Sequence, residues 1–565
     1  MVNCQIQVPE TTDQGGQERS AMERLTAPDR IRAAVFVVFS ALLVLAWTRN
    51  VNWDEFFFLS HVHAYLNGRL DRELQTFFVH VFGWLDAVPG HEMGQIFAAR
   101  LLMTACLGVT VFSIFRIASV FANRPAAWIA VLAFLTSGFV LPHGTSFRAD
   151  PIATCLLMSA LAILLTSRFA PWQLVALALL CAFALLATIK SALYLPAFLG
   201  AILWRLGEPG ALWRILLAGF AGLGIAALLF LWHSHLIETP PGREAVSTAT
   251  GAFNTVLLDN SIFPRWRELA LWAVLSLALI ALIVIGMAGA GSFRRGAVFV
   301  MMLMPFLVSA VFYRNTFPYF FPFIVPPMVV VAAIGAARLK SNVTLGALVA
   351  LMIGTGTWQA AKSFSEGAEV QRRTLAEVHR LFPEPVPYID HNAMISSFPR
   401  DGFFMSSWGV LKYRSQGQPV MAEIIDKTHP PLLLANRWAL HSAMTEPDAP
   451  DHPLYLFPDD AQILRDTYVH YSGVIWLAGR DIKLDDAPLK VEMHVHGRYR
   501  IETDAPVMID GVPHHDGDVL NVTGPLRISG RPEQTLRLIW DTSTSLRDNP
   551  LPAGGVYAGF WRLPI

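Results

Sequence analysis

The sequence predicts a polytopic α-helical membrane protein with about eleven transmembrane helices. A C-terminal extracytoplasmic region follows, α/β first and β-sandwich-like after it. Three observations carry this prediction. Hydrophobic residues make up 54% of the chain and charged residues only 15%, the balance of a chain solvated largely by lipid. Apolar segments of bilayer length recur through the first two-thirds and stop near Lys362. The formal charge is zero, yet the residues before Ser365 are net basic and those from there on net acidic. That asymmetry belongs to an integral protein with a water-facing half, not to a nucleic-acid binder. The four cysteines, Cys4, Cys106, Cys155 and Cys181, all precede the acidic half, which therefore holds no disulfide framework.

Residues 1–30 read as a polar, disordered cytoplasmic tail. A transmembrane domain spans 31–362, with apolar segments at 31–48, 96–117, 126–144, 151–167, 171–189, 191–205, 212–233, 268–288, 296–313, 318–337 and 343–361. The first is too long for a cleaved secretory signal and is a retained anchor. Arg30 and Arg32, Arg116 and Arg124, Arg168, Arg205 and Arg214, Arg294 and Arg295, and Arg338 with Lys340 fall on alternate loop ends. The positive-inside rule places these in the cytoplasm, with the N-terminus inside and everything beyond Lys362 outside. Residues 49–95 contain amphipathic stretches such as Phe77 to Trp84 and read as helices lying along the interface. Residues 234–267 are Pro/Gly-rich around Thr239-Pro240-Pro241-Gly242 and form a candidate lid. Residues 363–487 mix strand-like and helical runs, and 488–565 alternate in short strands.

Charged residues gather at the outer ends of the apolar segments. Asp54-Glu55 opens the first outer segment, where carboxylates at the edge of hydrocarbon are functional candidates. The pair fits a general base with a substrate or metal ligand, and equally an Asp cap with Glu in the first helical turn. In Arg148-Ala149-Asp150-Pro151, Pro151 suits the first helical position with Asp150 as its cap, while Arg148 could hold a phosphate bidentately. Lys190, with Tyr194 one turn on, is a snorkelling cation or a point charge for an anionic substrate. The run Tyr313-Arg314 to Pro326-Pro327 breaks an apolar helix with prolines and puts Arg314 on the same side. His233 and His235 are weak metal candidates, because i, i+2 residues do not share a helix face. No phosphate-binding Gly-x4-Gly-Lys loop, zinc-protease His-Glu-x-x-His or serine-hydrolase Gly-x-Ser-x-Gly is placed where it could work.

These places, in this order and on one side, resemble the polyprenol-dependent GT-C glycosyltransferases, such as the dolichyl-phosphate-mannose protein mannosyltransferases and the bacterial aminoarabinose–lipid A transferases. Asp54-Glu55 matches the acidic pair of the first outer loop, and Arg148-Ala149-Asp150-Pro151 the Arg/Asp-containing second. Lys190 matches more loosely, and Tyr319 to Pro326 resembles the late Tyr-x-x-Pro-x-x-x-Pro run. The resemblance covers roughly 30–340 of the chain. It implies a multi-pass protein of the bacterial inner membrane with its C-terminal domain in the periplasm. It further implies a polyprenyl-phosphate-sugar donor and a lipid, glycan or protein acceptor, with no nucleic acid. Transfer would invert the anomeric centre, Asp54 acting as base and Glu55 or Asp150 orienting the acceptor or a divalent cation. Arg148, Lys190 and Arg314 would neutralise the departing phosphate, and Tyr194 and Tyr319 would position substrate. Two other readings stay open from the residues alone: a secondary transporter or lipid flippase, whose charges belong nearer the bilayer midplane, and a non-catalytic assembly subunit.

Overall fold

Apolar periodicity becomes helix throughout the first two-thirds of the chain. The computed structural model describes residues 26–237, 263–289, 291–400, 407–542, 550–552 and 555–561. Most of the predicted tail and of the predicted lid lies outside the described residues. The principal helices are α1 (Pro28–Thr48), α2 (Trp53–Leu66), α3 (His91–Phe121), α4 (Arg124–Thr136), α5 (Ala149–Thr166), α6 (Pro171–Ala187) and α7 (Leu195–Arg205). They continue as α8 (Ala211–His235), α9 (Trp266–Leu275), α10 (Leu277–Met287), α11 (Phe293–Phe312), α12 (Pro326–Arg338), α13 (Asn342–Ser365) and α14 (Glu369–Leu381).

Every predicted apolar segment is largely helical, but not every one crosses by itself. Among the described residues, α1, α3, α5, α8, α11 and α13 are long and apolar enough to span a bilayer, six in all. The count reaches eight if the α9–α10 pair, bent by 84°, and the Pro318–Ile324 plus α12 pair, bent by 64°, are each one span. The second bend follows from Pro326 and Pro327, which cannot continue the preceding helical turn. Segment 126–144 divides because Phe139 takes a left-handed conformation, φ 72°, after α4 ends. The protein is thus a multi-pass membrane protein with several broken or short helices at its centre. Gly286 of α10 and Gly335 of α12 let two backbones meet there: a Cβ on either would run into a carbonyl of the other helix.

Within 49–95 the chain forms α2, which is followed by the short helix Val79–Phe82. Val51, Phe56 and Leu59 share one buried core with Leu375 and Val378 of α14 and with Tyr388, Leu432 and Ile475 of the C-terminal region. The C-terminal region is therefore packed onto α2. Segment 49–52 is clamped from both sides. Gln371 accepts from the Val51 amide (2.8 Å) and donates to the Val51 carbonyl (2.7 Å), and Asn50 bonds the C-terminal segment at Val556 and Ala558.

The strands of the C-terminal region are β1 (Tyr388–Ile389), β2 (Leu432–Leu434), β3 (Tyr468–Ser472), β4 (Ile475–Lys483), β5 (Leu489–Val491), β6 (Gly497–Thr503), β7 (Val507–Ile509), β8 (Val512–His514), β9 (Val519–Val522), β10 (Leu526–Ser529) and β11 (Thr535–Trp540). The expected boundary at 487/488 does not separate two sheets. β4 pairs with β2 through Ile475 to Leu477 and with β11 through Gly479 to Lys483. One seven-stranded sheet, β1-β2-β4-β11-β6-β9 with β3 also on β4, runs through both parts, and a four-stranded sheet β5-β10-β7-β8 packs on its far half. A nine-residue strand is long enough to serve two sets of neighbours, which local patterning does not reveal. β1 and β2 are parallel, so their carboxyl ends open side by side.

Candidate active site

The first turn of α2 presents Asp54 because Asn52, one residue before the helix, caps it. The Asn52 side chain accepts from the Asp54 amide (3.0 Å) and Glu55 reaches back to the Asn52 amide (3.0 Å), a reciprocal capping box. The cap expected of Asp54 is thus supplied by Asn52, leaving the Asp54 carboxylate to point outward. It meets Arg148, whose Nη1 donates to Asp54 Oδ2. Arg148 sits at the N-cap position of α5 and its Nε also faces Asp150 Oδ2 at 3.5 Å. Asp150 is inside the first turn and does not cap the helix as expected. Its carboxylate instead accepts from Lys190 Nζ at 2.7 and 3.1 Å. Lys190 reaches it from the short helical turn Ile189–Tyr194.

Four charges of alternating sign, Asp54, Arg148, Asp150 and Lys190, thus form one chain drawn from three separate loops. Tyr319 floors it: the Arg148 guanidinium lies 3.6 Å above the ring and Lys190 Nζ 5.9 Å from it. Burial opposes the charge on Arg148, but Asp54, Tyr319 and Asp150 hold the guanidinium more firmly protonated than usual. The roof is aromatic. Phe560, close to the C-terminus, packs on Trp53 (5.0 Å), on Tyr319 (5.9 Å) and on His143 (5.9 Å). Along the same face of α2, one and two turns on from Asp54, Phe57 and His61 line a hollow of about 310 Å³ with Arg69, Arg72 and Arg400. Burial and the cations Arg72 and Arg400 push the His61 imidazole down to about 3, so it is neutral there.

No family model and no curated protein matches the sequence. Solved structures do. The ArnT structure from Cupriavidus metallidurans bound to undecaprenyl phosphate is similar with a TM-score of 0.51 and 14% identity, over 66% of this chain and 85% of that one. An oligosaccharyltransferase from Archaeoglobus fulgidus is similar over 86% of this chain and 74% of its own, with 10% identity and a TM-score of 0.49. The chain has a GT-C fold.

Within the GT-C fold the remaining candidates fall into different places. Glu55 is not at the site: it is fully buried, where Asp54 keeps 18% of its side chain exposed. Its two oxygens accept from Arg100 Nη2 (2.6 Å) and Nε (2.8 Å), and from the amides of Phe147 (2.7 Å) and Asn52. Burial raises its pKa, but Arg100 and these bonds outweigh burial and leave it below the usual carboxylate range. Having no acceptor site left, Glu55 is a structural carboxylate, which corrects its reading as a catalytic or metal-binding group. Tyr194 is fully buried, with its hydroxyl donating to the Phe323 carbonyl, which places it in the core and not in the four-charge chain. Arg314 lies half-buried on the loop after α11, where its carbonyl accepts from Arg265 (3.4 Å), and the ion pairs of the four-charge chain are made by other residues. His233 is buried between Thr76 (3.0 Å) and His80 (2.8 Å), while His235 is exposed.

The residues present do not fit the expected divalent cation. Among the described residues no group of three or more His, Cys, Asp or Glu side chains converges, and Asp54 and Asp150 are joined through a guanidinium that a cation would have to displace. Sequence reasoning missed Arg100, whose signal was an arginine inside an apolar segment with an acidic pair nearby. Phe560 reaches the site only through the tertiary fold.

Proposed function

We propose that this protein is an integral-membrane glycosyltransferase that takes a sugar from a polyprenyl-phosphate donor and passes it to an acceptor at the outer, periplasmic face of a bacterial inner membrane. The observation that carries this reading is the Asp54–Arg148–Asp150–Lys190 chain. Two cations and two carboxylates stand together beside broken helices, and Asp54 is the more exposed of the two acids. A lipid-borne phosphate approaching from the bilayer competes with the carboxylates for Arg148 and Lys190, a charge-assisted exchange that leaves Asp54 available. Asp54 then accepts the acceptor's hydroxyl proton as the acceptor oxygen bonds to the anomeric carbon. The carbon–oxygen bond to phosphate breaks with its electron pair on the leaving phosphate, whose charge Arg148 and Lys190 hold. The displacement inverts the anomeric centre. Asp150 keeps both cations aimed and remains ionised throughout. No step runs through a metal.

The decisive test follows sugar release from a panel of radiolabelled polyprenyl-phosphate sugars in membranes, wild type against Asp54→Asn. Consumption of one donor that needs Asp54 is the expected outcome. Equal consumption by the variant removes Asp54 as the base. No consumption of any donor by well-folded protein removes the glycosyltransferase reading.

A further inference from the structure

The carboxyl ends of β1 and β2 lie next to each other and on top of the first turn of α2. After β1 the chain reads Asp390-His391-Asn392, and after β2 Asn436-Arg437-Trp438. Loops at adjacent parallel strand ends are where open α/β sheets hold their ligands. Arg437 stacks on Trp53 with its guanidinium 3.4 Å from the ring, directly beside Asp54 in sequence, and Arg400 lies 5.4 Å over Phe57.

This cluster has a second feature that packing alone does not explain. His391 and Asn392 are 1% and 0% exposed, yet His391 Nδ1 and both amide atoms of Asn392 have no hydrogen-bond partner among the described residues. Asn436 Oδ1, Trp438 Nε1 and the Tyr557 hydroxyl are buried in the same condition. Buried polar atoms are almost always satisfied, and each exception requires a reason. Six orphans in one place require a common one. They include donors that cannot accept, such as the Trp438 N–H, and amide oxygens that cannot donate. A phosphodiester accepts only and leaves the amide oxygens unsatisfied, whichever way the amides are turned. Hydroxyl groups do both, and a sugar's C–H face suits the Trp53, Trp438 and Tyr557 rings around them.

We infer that the strand ends of β1 and β2 form a saccharide-binding site, which holds the acceptor by its hydroxyls and presents it to Asp54. This rests on the glycosyltransferase reading for the role of the bound sugar, though not for its binding. The acceptor class is therefore a glycan or a glycosylated lipid, not a protein side chain.

The test uses the full-length protein in nanodiscs, titrated with free pentoses, hexoses, amino sugars and uronic acids while tryptophan fluorescence and melting temperature are followed. Saturable binding of at least one saccharide is expected, weakened about tenfold by Asn392→Ala and by Asn436→Ser, for loss of a single neutral hydrogen bond. Trp438→Phe, which keeps a ring and removes the N–H, guards against a variant that fails to fold. Asp54→Asn retains binding. The inference is overturned if no saccharide binds to protein that consumes donor normally, or if the three variants bind as well as wild type. Saccharide binding without any donor consumption instead sinks the catalytic reading and leaves this site standing.

Discussion

Two acidic residues side by side in sequence, Asp54 and Glu55, belong to two different regions of the molecule. Glu55 faces inward to Arg100 in a fully buried, four-acceptor knot that holds α2 to α3 and to the loop before α5. Asp54 faces into a chain of four charges in which it is partly exposed and, in the proposed reaction, the cations exchange their carboxylates for the donor's phosphate. Both regions pair a carboxylate with an arginine, and the two carboxylates are adjacent in sequence. What separates them is whether every lone pair is already satisfied by the protein. A saturated pair stabilises; an unsaturated one is free to react.

The comparison can be broken most forcefully at the knot. Arg100→Ala leaves a buried carboxylate uncompensated and should cost about 3–5 kcal/mol, read as loss of folded protein in detergent and a collapsed melting transition. Should the variant fold and turn over normally, the structural role of Glu55 fails. At the mouth, Asp54→Asn should lower transfer about a hundred- to ten-thousand-fold while the melting temperature stays near wild type. A matching loss of stability would place Asp54 in the knot's category. Lys190→Ala should raise the donor KM about tenfold, since Asp150 then keeps only the longer Arg148 contact. An unchanged KM with a lowered kcat would move Lys190 from binding to transition-state stabilisation. Tyr194→Phe should lose about 1 kcal/mol from one hydrogen bond and leave turnover intact; impaired turnover would restore its reading as a substrate contact.

Acidification separates the two regions by a different route. Glu55 has a folded-state pKa below its ordinary 4.5, so the stability it contributes is complete above that value and is lost as pH falls through the folded one. The wild-type melting temperature should therefore fall on the acid side of pH 4.5, and Glu55→Gln should flatten that limb while starting from a lower plateau. An acid limb of identical slope in the variant would assign the titration elsewhere.

Much of this was legible in the residues. Composition and apolar segment length show a multi-pass membrane protein, because hydrocarbon tolerates few other sequences. Each apolar segment is helical because lipid requires backbone groups to bond within the segment. The charges at Asp54, Arg148, Asp150 and Lys190 stood out because each is expensive at a membrane edge. Their order along the chain also resembles that of a known family. The C-terminal region was less readable: β4 serves both halves of one sheet, and strand partners are non-local.

What the sequence by itself determined is therefore which residues are too costly to be incidental. Only the tertiary structure decided what each does, because that depends on partners supplied from far along the chain. Asp54 and Glu55 could not be told apart until Arg148 and Arg100 were seen beside them. Tyr194 and Tyr319 could not be separated until one proved buried and the other lay under a guanidinium. The strand ends of β1 and β2 drew no notice as sequence, since Asn, His and Trp are ordinary in loops. Burial without partners sets them apart, and burial is a property of the fold.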